Sequence, residues 1–198
     1  GAVGKPLIRV HTAGSVGGST AIVAASLVQA GIHQRVLAVA FEKQSESNAM
    51  WALSVPVPFV MPVHAGAGGY FAPHVRSYIR RSGAPTETGA IVAAKDRTNA
   101  LLNPYAHLHN PHTTVESVMA SAMLWDPIRY DETCPSSDGA CAVVIASESA
   151  SSSVANPAWI HATAMRSEPT SAAGRDQVNP LAGRAAAADL WAQAGITN

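Results

Sequence analysis

The sequence predicts an α/β fold, a parallel sheet with helices on its faces, and three neighbouring observations predict it. Residues 7–11, "LIRVH", form a short, mainly apolar run that reads as a strand. A Gly/Ser cluster follows at 14–19, and then a helical stretch, "STAIVAASLVQ" at 19–29, made almost wholly of small and apolar residues. A second apolar run, "RVLAVAF" at 35–41, comes next. Two strands joined by a crossover helix within about 35 residues make a βαβ unit, which places both strands in parallel in one sheet. A helix with no polar face is expected to be buried on all sides, and Gly31 stands where a left-handed C-terminal cap belongs.

The other elements follow in chain order. Residues 50–73 hold several prolines and glycines without a sustained period and read as a loop, part of an excursion over about 44–112. Within it a helix is expected at 73–81, with Pro73 at its first position and Gly83 past its end, and another at 86–99. "TTVE" at 113–116 has capping-box spacing ahead of "SVMASAM" and predicts a further helix start. After the turn "PSSDGA", residues 141–147 read as a third strand. Residues 149–157 are a serine-rich linker; "WIHATAM" at 159–165 reads as a strand, and 183–194 as a helix capped by Gly195.

Composition bounds the function. The 198 residues are 47% hydrophobic and only 13% charged, with a formal net charge of zero. Soluble domains carry roughly 25% charged residues, so much of this surface is expected to be covered by other protein. Neutrality argues against nucleic acid and anionic membrane as partners. The two cysteines, Cys134 and Cys141, have neither a disulfide-framework nor a zinc spacing. No apolar run reaches the ~20 residues of a membrane span, and the first residues do not read as a secretion signal. A cytoplasmic protein is expected.

The Gly/Ser cluster is the first candidate site. It lacks the lysine of a Walker loop and the spacing of a dinucleotide fingerprint, so only a bare helix N-terminus remains to hold phosphate. Residues 13–17, "AGSVG", are a loose variant of the GxSxG elbow, which would present Ser15 as a nucleophile with Asp138 and His161 following in triad order. The alternative is that Ser15 and Ser19 simply cap the helix; both readings stay open on pattern alone. His107, His109 and His112 fall in a proline-broken loop without the acids of a zinc site, and no metal is expected. His161 on its apolar run reads as a core histidine. Glu42 and Lys43 close a strand and read as an ion pair. Of the four tyrosines, Tyr70, Tyr105 and Tyr130 are the candidate phenols.

Five pieces taken together resemble a known family: "GSTA" at 18–21, "FEK" at 41–43, Asn103-Pro104, "CPSSDGACAVVIA" at 134–146 and "EPTSAAGRDQVNPLAGRAAAADLWAQAGI" at 168–196. In this order they resemble the thiolase superfamily, and within it the sterol-carrier-type thiolases, actinobacterial lipid-transfer proteins among them. The resemblance implies a thiolase-like layered αβαβα fold, incomplete in this chain. Residues 1–148 would be an N-terminal-type domain lacking its first βα units, and 158–198 the start of a C-terminal-type domain. It places Ser15 where such enzymes carry their acyl-accepting cysteine, with Gly17, Gly18 and Ser19 beside the substrate.

A serine there changes the chemistry. A helix N-terminus lowers the pKa of a thiol, but a hydroxyl needs an adjacent base before it attacks. The resemblance therefore implies an acyl-CoA-handling enzyme acting on a bulky or steroid-derived acyl chain, with retro-aldol or other non-standard carbon–carbon cleavage. Coenzyme A enters as part of the substrate, without a further cofactor. A non-catalytic acyl-CoA or lipid carrier and a serine hydrolase using the 13–17 elbow are the alternatives. The partners implied are a second copy, with 7–11 near the interface, and a completing chain or small partner subunit.

Overall fold

The structure, a computed structural model, describes residues 4–46, 66–169, 175–176 and 178–197. Much of the 50–73 stretch expected as a loop lies outside the described residues. The chain divides into two compact units: a sheet unit of residues 1–42, 139–168 and 181–198, and a helical unit of residues 43–138 and 169–180. The 149–157 segment falls inside the sheet unit.

The sheet unit begins with α1, Val16–Gln29, entered through a 3-10 turn at Ala13–Ser15. Its end is as expected. Gly31 sits at φ +70°, and the amides of Gly31 and Ile32 donate to the carbonyls of Val28 and Leu27 at 3.0 and 3.1 Å, a Schellman closure. The expectation of a helix buried all round is corrected: only Ser19 and Ala24 are buried, and the other small side chains of α1 are partly or fully exposed.

Strand β1 spans Arg35–Lys43 and strand β2 spans Asp138–Ala146, and they pair in a two-stranded sheet. Ser147 N donates to Gln34 O at 3.0 Å. At the other end Ser45 N donates to the Asp138 carboxylate at 2.9 Å. The start of each strand thus meets the end of the other, and the pair runs antiparallel. The parallel pairing expected from βαβ spacing is corrected, because neither 7–11 nor 159–165 forms a strand. Both runs are apolar enough for a sheet, but a strand is defined by ladder bonds, and among the described residues neither has a ladder partner. Leu7 is 92% exposed.

Helix α5, Leu181–Ala194, completes the unit, two residues longer at its start than expected. The Gln193 side chain clasps residue 163, donating to Thr163 O at 3.1 Å and accepting from Thr163 N at 3.4 Å.

The helical unit contains α2, Gly66–Ser82, α3, Thr88–Ala100, and α4, Val115–Ala120. A hairpin follows, Met123–Trp125 (β3) with Ile128–Arg129 (β4), turning through a cis Asp126–Pro127 bond. Helix α2 starts seven residues before Pro73, so Pro73 lies inside the helix rather than at its first position. One of the glycines that suggested a loop serves packing: a Cβ on Gly68 would sit 2.1 Å from the Trp125 ring. The capping box at α4 is shifted by one residue. Thr114 Oγ1 accepts from Ser117 N at 3.1 Å, and Ser117 Oγ accepts from Thr114 N at 2.9 Å. Glu116 stands in the first turn, where its own backbone amide and the Thr114 hydroxyl hold its carboxyl below the ordinary value. Ala72, Ala90, Ala94 and Val118 are buried here.

Candidate functional site

The loop before α1 is short because three hydroxyl side chains bond to one another and to their own backbone. Ser15 Oγ donates to Thr12 O at 2.9 Å, Thr12 Oγ1 donates to Ser19 Oγ at 2.7 Å, and Ser19 Oγ donates to Ser15 O at 3.2 Å. Ser15 occupies the N-cap position at φ −90°, yet its side chain caps no helical amide. The capping reading is corrected for Ser15: its hydroxyl points back along the chain. Ser15 is exposed, while Ser19 is 5% exposed. A Cβ on Gly14, Gly17 or Gly18 would meet nothing within 4 Å, so the helix N-terminus opens on free space. No acidic residue lies in the first turn, which leaves the positive end of the helix dipole uncompensated.

Among the described residues neither triad candidate bonds to this serine. Asp138 accepts from Ser45 Oγ at 2.6 Å and from Ser45 N, and these bonds, with one from Gln44 N, hold its carboxyl below the ordinary value. His161 is exposed and lies on no strand, which corrects the core-histidine reading. Among the described residues no imidazole or carboxylate bonds to the Ser15 hydroxyl.

The loop histidines are held singly. His107 Nδ1 bonds to Ser137 Oγ at 2.6 Å, and His109 Nε2 bonds to Asn103 O at 2.7 Å. His112 lies on the turn where its amide donates to Asn110 Oδ1. Among the described residues no three metal-ligating side chains converge. Lys43 pairs with Glu46, and Cys134 and Cys141 are free and exposed. Of the phenols, Tyr105 and Tyr130 are exposed, whereas Tyr70 accepts from Arg175 Nη1 at 2.6 Å and meets Phe71 edge-on at 5.3 Å.

Sequence reading missed a cavity of about 620 Å3 between α2 and α3, walled by Phe71, Val75, Tyr78 and Val92, with His74 and Cys134 among its lining. Its signal was present: positions 71, 75 and 78 recur at helical spacing on one face. It was hidden because the start of α2 read as a loop.

No family model matches the chain. Human sterol carrier protein 2 is 28% identical over 160 residues, covering 75% of this chain and 29% of that protein. The benzoylsuccinyl-CoA thiolase subunit BbsB of Thauera aromatica is 29% identical over 72% of this chain and 37% of its own length. The 17-hydroxy-3-oxo-4-pregnene-20-carboxyl-CoA lyase of Mycobacterium tuberculosis is 30% identical over 62% of this chain and 33% of its own. The chain thus spans about a third of the length of these relatives. Among solved structures, a chain of an Ltp2–ChsH2(DUF35) aldolase superposes with a TM-score of 0.82 at 23% identity, over 96% of this chain and 52% of that one.

This chain has an α/β fold of the thiolase type. Within that class its sequence is similar to sterol carrier protein 2 and to thiolase-superfamily enzymes. No helix among the described residues is long and apolar enough to cross a membrane.

Proposed function

We propose that the chain is the nucleophile-loop part of an acyl-CoA-handling thiolase-superfamily enzyme that cleaves a carbon–carbon bond by a retro-aldol route, without an acyl-enzyme at Ser15. The observation that carries this reading is the hydrogen-bonding of Ser15. Its hydroxyl proton is given to a backbone carbonyl, and among the described residues no base bonds to it. An unactivated serine is a poor acyl acceptor. The N-terminus of α1, open at Gly17 and Gly18, is well suited to a different task, which is to stabilise negative charge that develops on a thioester oxygen.

The substrate class that fits is a β-hydroxyacyl-CoA with a bulky ring system. Its β-hydroxyl loses a proton to a base and the Cα–Cβ bond breaks. Cβ becomes a ketone, and the electron pair passes into the thioester enolate, which takes up a proton at Cα. No water, oxidant or free coenzyme A is consumed. The pregnene-carboxyl-CoA lyase and the aldolase named above support this direction by the chemistry in their names. Ser15 then acts as a small polar residue beside the thioester, with Gly17, Gly18 and Ser19 shaping the turn.

The same reading assigns residues 1–148 to the N-terminal-type half of a longer subunit and 158–198 to the start of its second half. It makes the working enzyme a cytoplasmic assembly of at least two copies with a completing partner. The test is product analysis by mass spectrometry after incubating the full-length assembled protein with a ring-bearing β-hydroxyacyl-CoA. Retro-aldol cleavage yields a ketone and a shortened acyl-CoA in equal amounts. Cleavage only of a 3-ketoacyl-CoA, and only when free coenzyme A is added, would point to thiolysis instead. Saturable binding without turnover would make the protein a carrier.

A further inference from the structure

The second half of α2 carries three arginines, and they differ in what they hold. Arg81 forms a two-pronged pair with Asp176, Nη1 to Oδ1 at 2.5 Å and Nη2 to Oδ2 at 3.2 Å. Arg76 pairs with the Asp126 carboxylate. Arg80 has no hydrogen-bond or ion-pair partner among the described residues. Arg76 and Arg80 are four residues apart and share one face of the helix, where two like charges destabilise one another. Both line one cavity of about 570 Å3 in the helical unit.

A third guanidinium, that of Arg129, lines the same cavity. It is held in place by one bond, Nη1 to Ser121 O at 3.0 Å. The two acids of the lining are already engaged: Asp126 by Arg76, and Glu132 by the backbone amide of Arg129. Three cations against two satisfied carboxylates leave the cavity with unmet positive charge and many free N–H donors, since each guanidinium offers five. The remaining walls, Ile79, Met119, Met123 and Pro127, are apolar, and methionine walls adapt readily to a bound shape.

We infer that this cavity binds a phosphate monoester carried on an apolar body. A phosphate brings up to two negative charges and three acceptor oxygens, which suits neighbouring guanidiniums better than the single charge of a carboxylate. The volume falls within the roughly 300–1,000 Å3 of small-molecule sites. The inference stands on the helical unit alone and does not rest on the proposed acyl-CoA chemistry.

The test is isothermal titration of the full-length assembled protein with octyl phosphate, octanoate, inorganic phosphate and adenosine 3′-phosphate. Octyl phosphate binds saturably and more tightly than octanoate or inorganic phosphate. Adenosine 3′-phosphate, whose body is polar, binds more weakly than octyl phosphate, and tighter binding of it would overturn the apolar body. Arg80→Gln weakens binding of the phosphate monoester about tenfold, the loss expected for a charge-assisted bond, and Arg80→Lys restores part of it. Arg81→Gln, which removes the Asp176 pair outside the cavity, leaves binding unchanged. The Arg80 side chain makes no bond among the described residues, so Arg80→Gln unfolds at the temperature of the parent. Absence of saturable binding, equal affinity for octanoate, or full affinity in Arg80→Gln would overturn the inference.

Discussion

The helical unit ties its elements together with charged pairs, Arg80 excepted, while the sheet unit turns the apolar face of β1 outward. In the helical unit Arg81 meets Asp176, Arg76 meets Asp126, Arg97 Nη2 reaches Thr133 O at 3.0 Å, and Val118 is fully buried. In the sheet unit Ala38 on one face of β1 is buried, while Leu37, Val39 and Phe41 on the opposite face are exposed, Phe41 to 74%. Trp159 and Ile160 are also more than half exposed. The low charge of the whole sequence is thus unevenly spent. An exposed apolar strand face of this kind is what the assembly proposed above would use.

The sharpest way to break the contrast is Val118→Asp. A carboxylate placed at a fully buried site of the helical unit costs about 4 kcal/mol, read by urea unfolding followed at tryptophan fluorescence. A cost near zero would mean that Val118 is not in a core. Gly68→Ala comes next. Helix propensity alone predicts a gain of about 1 kcal/mol, but the new Cβ collides with the Trp125 ring, so a net loss of about 2 kcal/mol is expected. The sign decides whether α2 and the hairpin are in close contact.

In the sheet unit the double change Leu37→Ser, Phe41→Ser should move the unfolding midpoint by less than about 0.5 kcal/mol, because both side chains are exposed. The assembled state, followed by light scattering, should weaken instead. A large loss of monomer stability with no change in assembly would reverse the contrast between the two units.

The smallest effects concern pH. The carboxyls of Asp138 and Asp176 lie below their ordinary value, Asp138 through its bonds from Ser45 and Asp176 chiefly through Arg81. A group depressed in the folded state contributes stability above its unfolded pKa, about 3.9, and that contribution is lost as pH falls through the folded value. Ser45→Ala should raise the Asp138 carboxyl toward the ordinary value and soften the acid dependence below about pH 4, as read by side-chain carboxyl NMR. An unmoved Asp138 would show that Ser45 is not its partner.

Local patterns carried much of this architecture. Helix α1 with its Gly31 cap, the core of β1, the end of α2 at Gly83 and most of α5 follow from periodicity and cap residues, because these are decided within a turn or two of the chain. What failed depended on distant residues. Gly68 read as loop and Pro73 as a first helical position, yet the helix begins at Gly66 and contact with Trp125 requires a glycine in it. The runs 7–11 and 159–165 have strand composition, but composition supplies no ladder partner. The antiparallel pairing rests on contacts such as that between Ser45 and Asp138, which local periodicity does not encode. At the site, the position of Ser15 before α1 was legible from the glycine–serine turn and the family pieces. The direction of its hydroxyl was not, since that depends on the carbonyl of Thr12.

The most direct test is the intact mass of the full-length assembled protein after incubation with a series of acyl-CoA esters, alongside Ser15→Ala and Ser15→Cys. The account predicts no acyl adduct on the parent and an acyl-sized gain on Ser15→Cys, where a thiol at the helix N-terminus regains the nucleophile. An adduct on the parent that disappears in Ser15→Ala would contradict it and make Ser15 a working acyl acceptor.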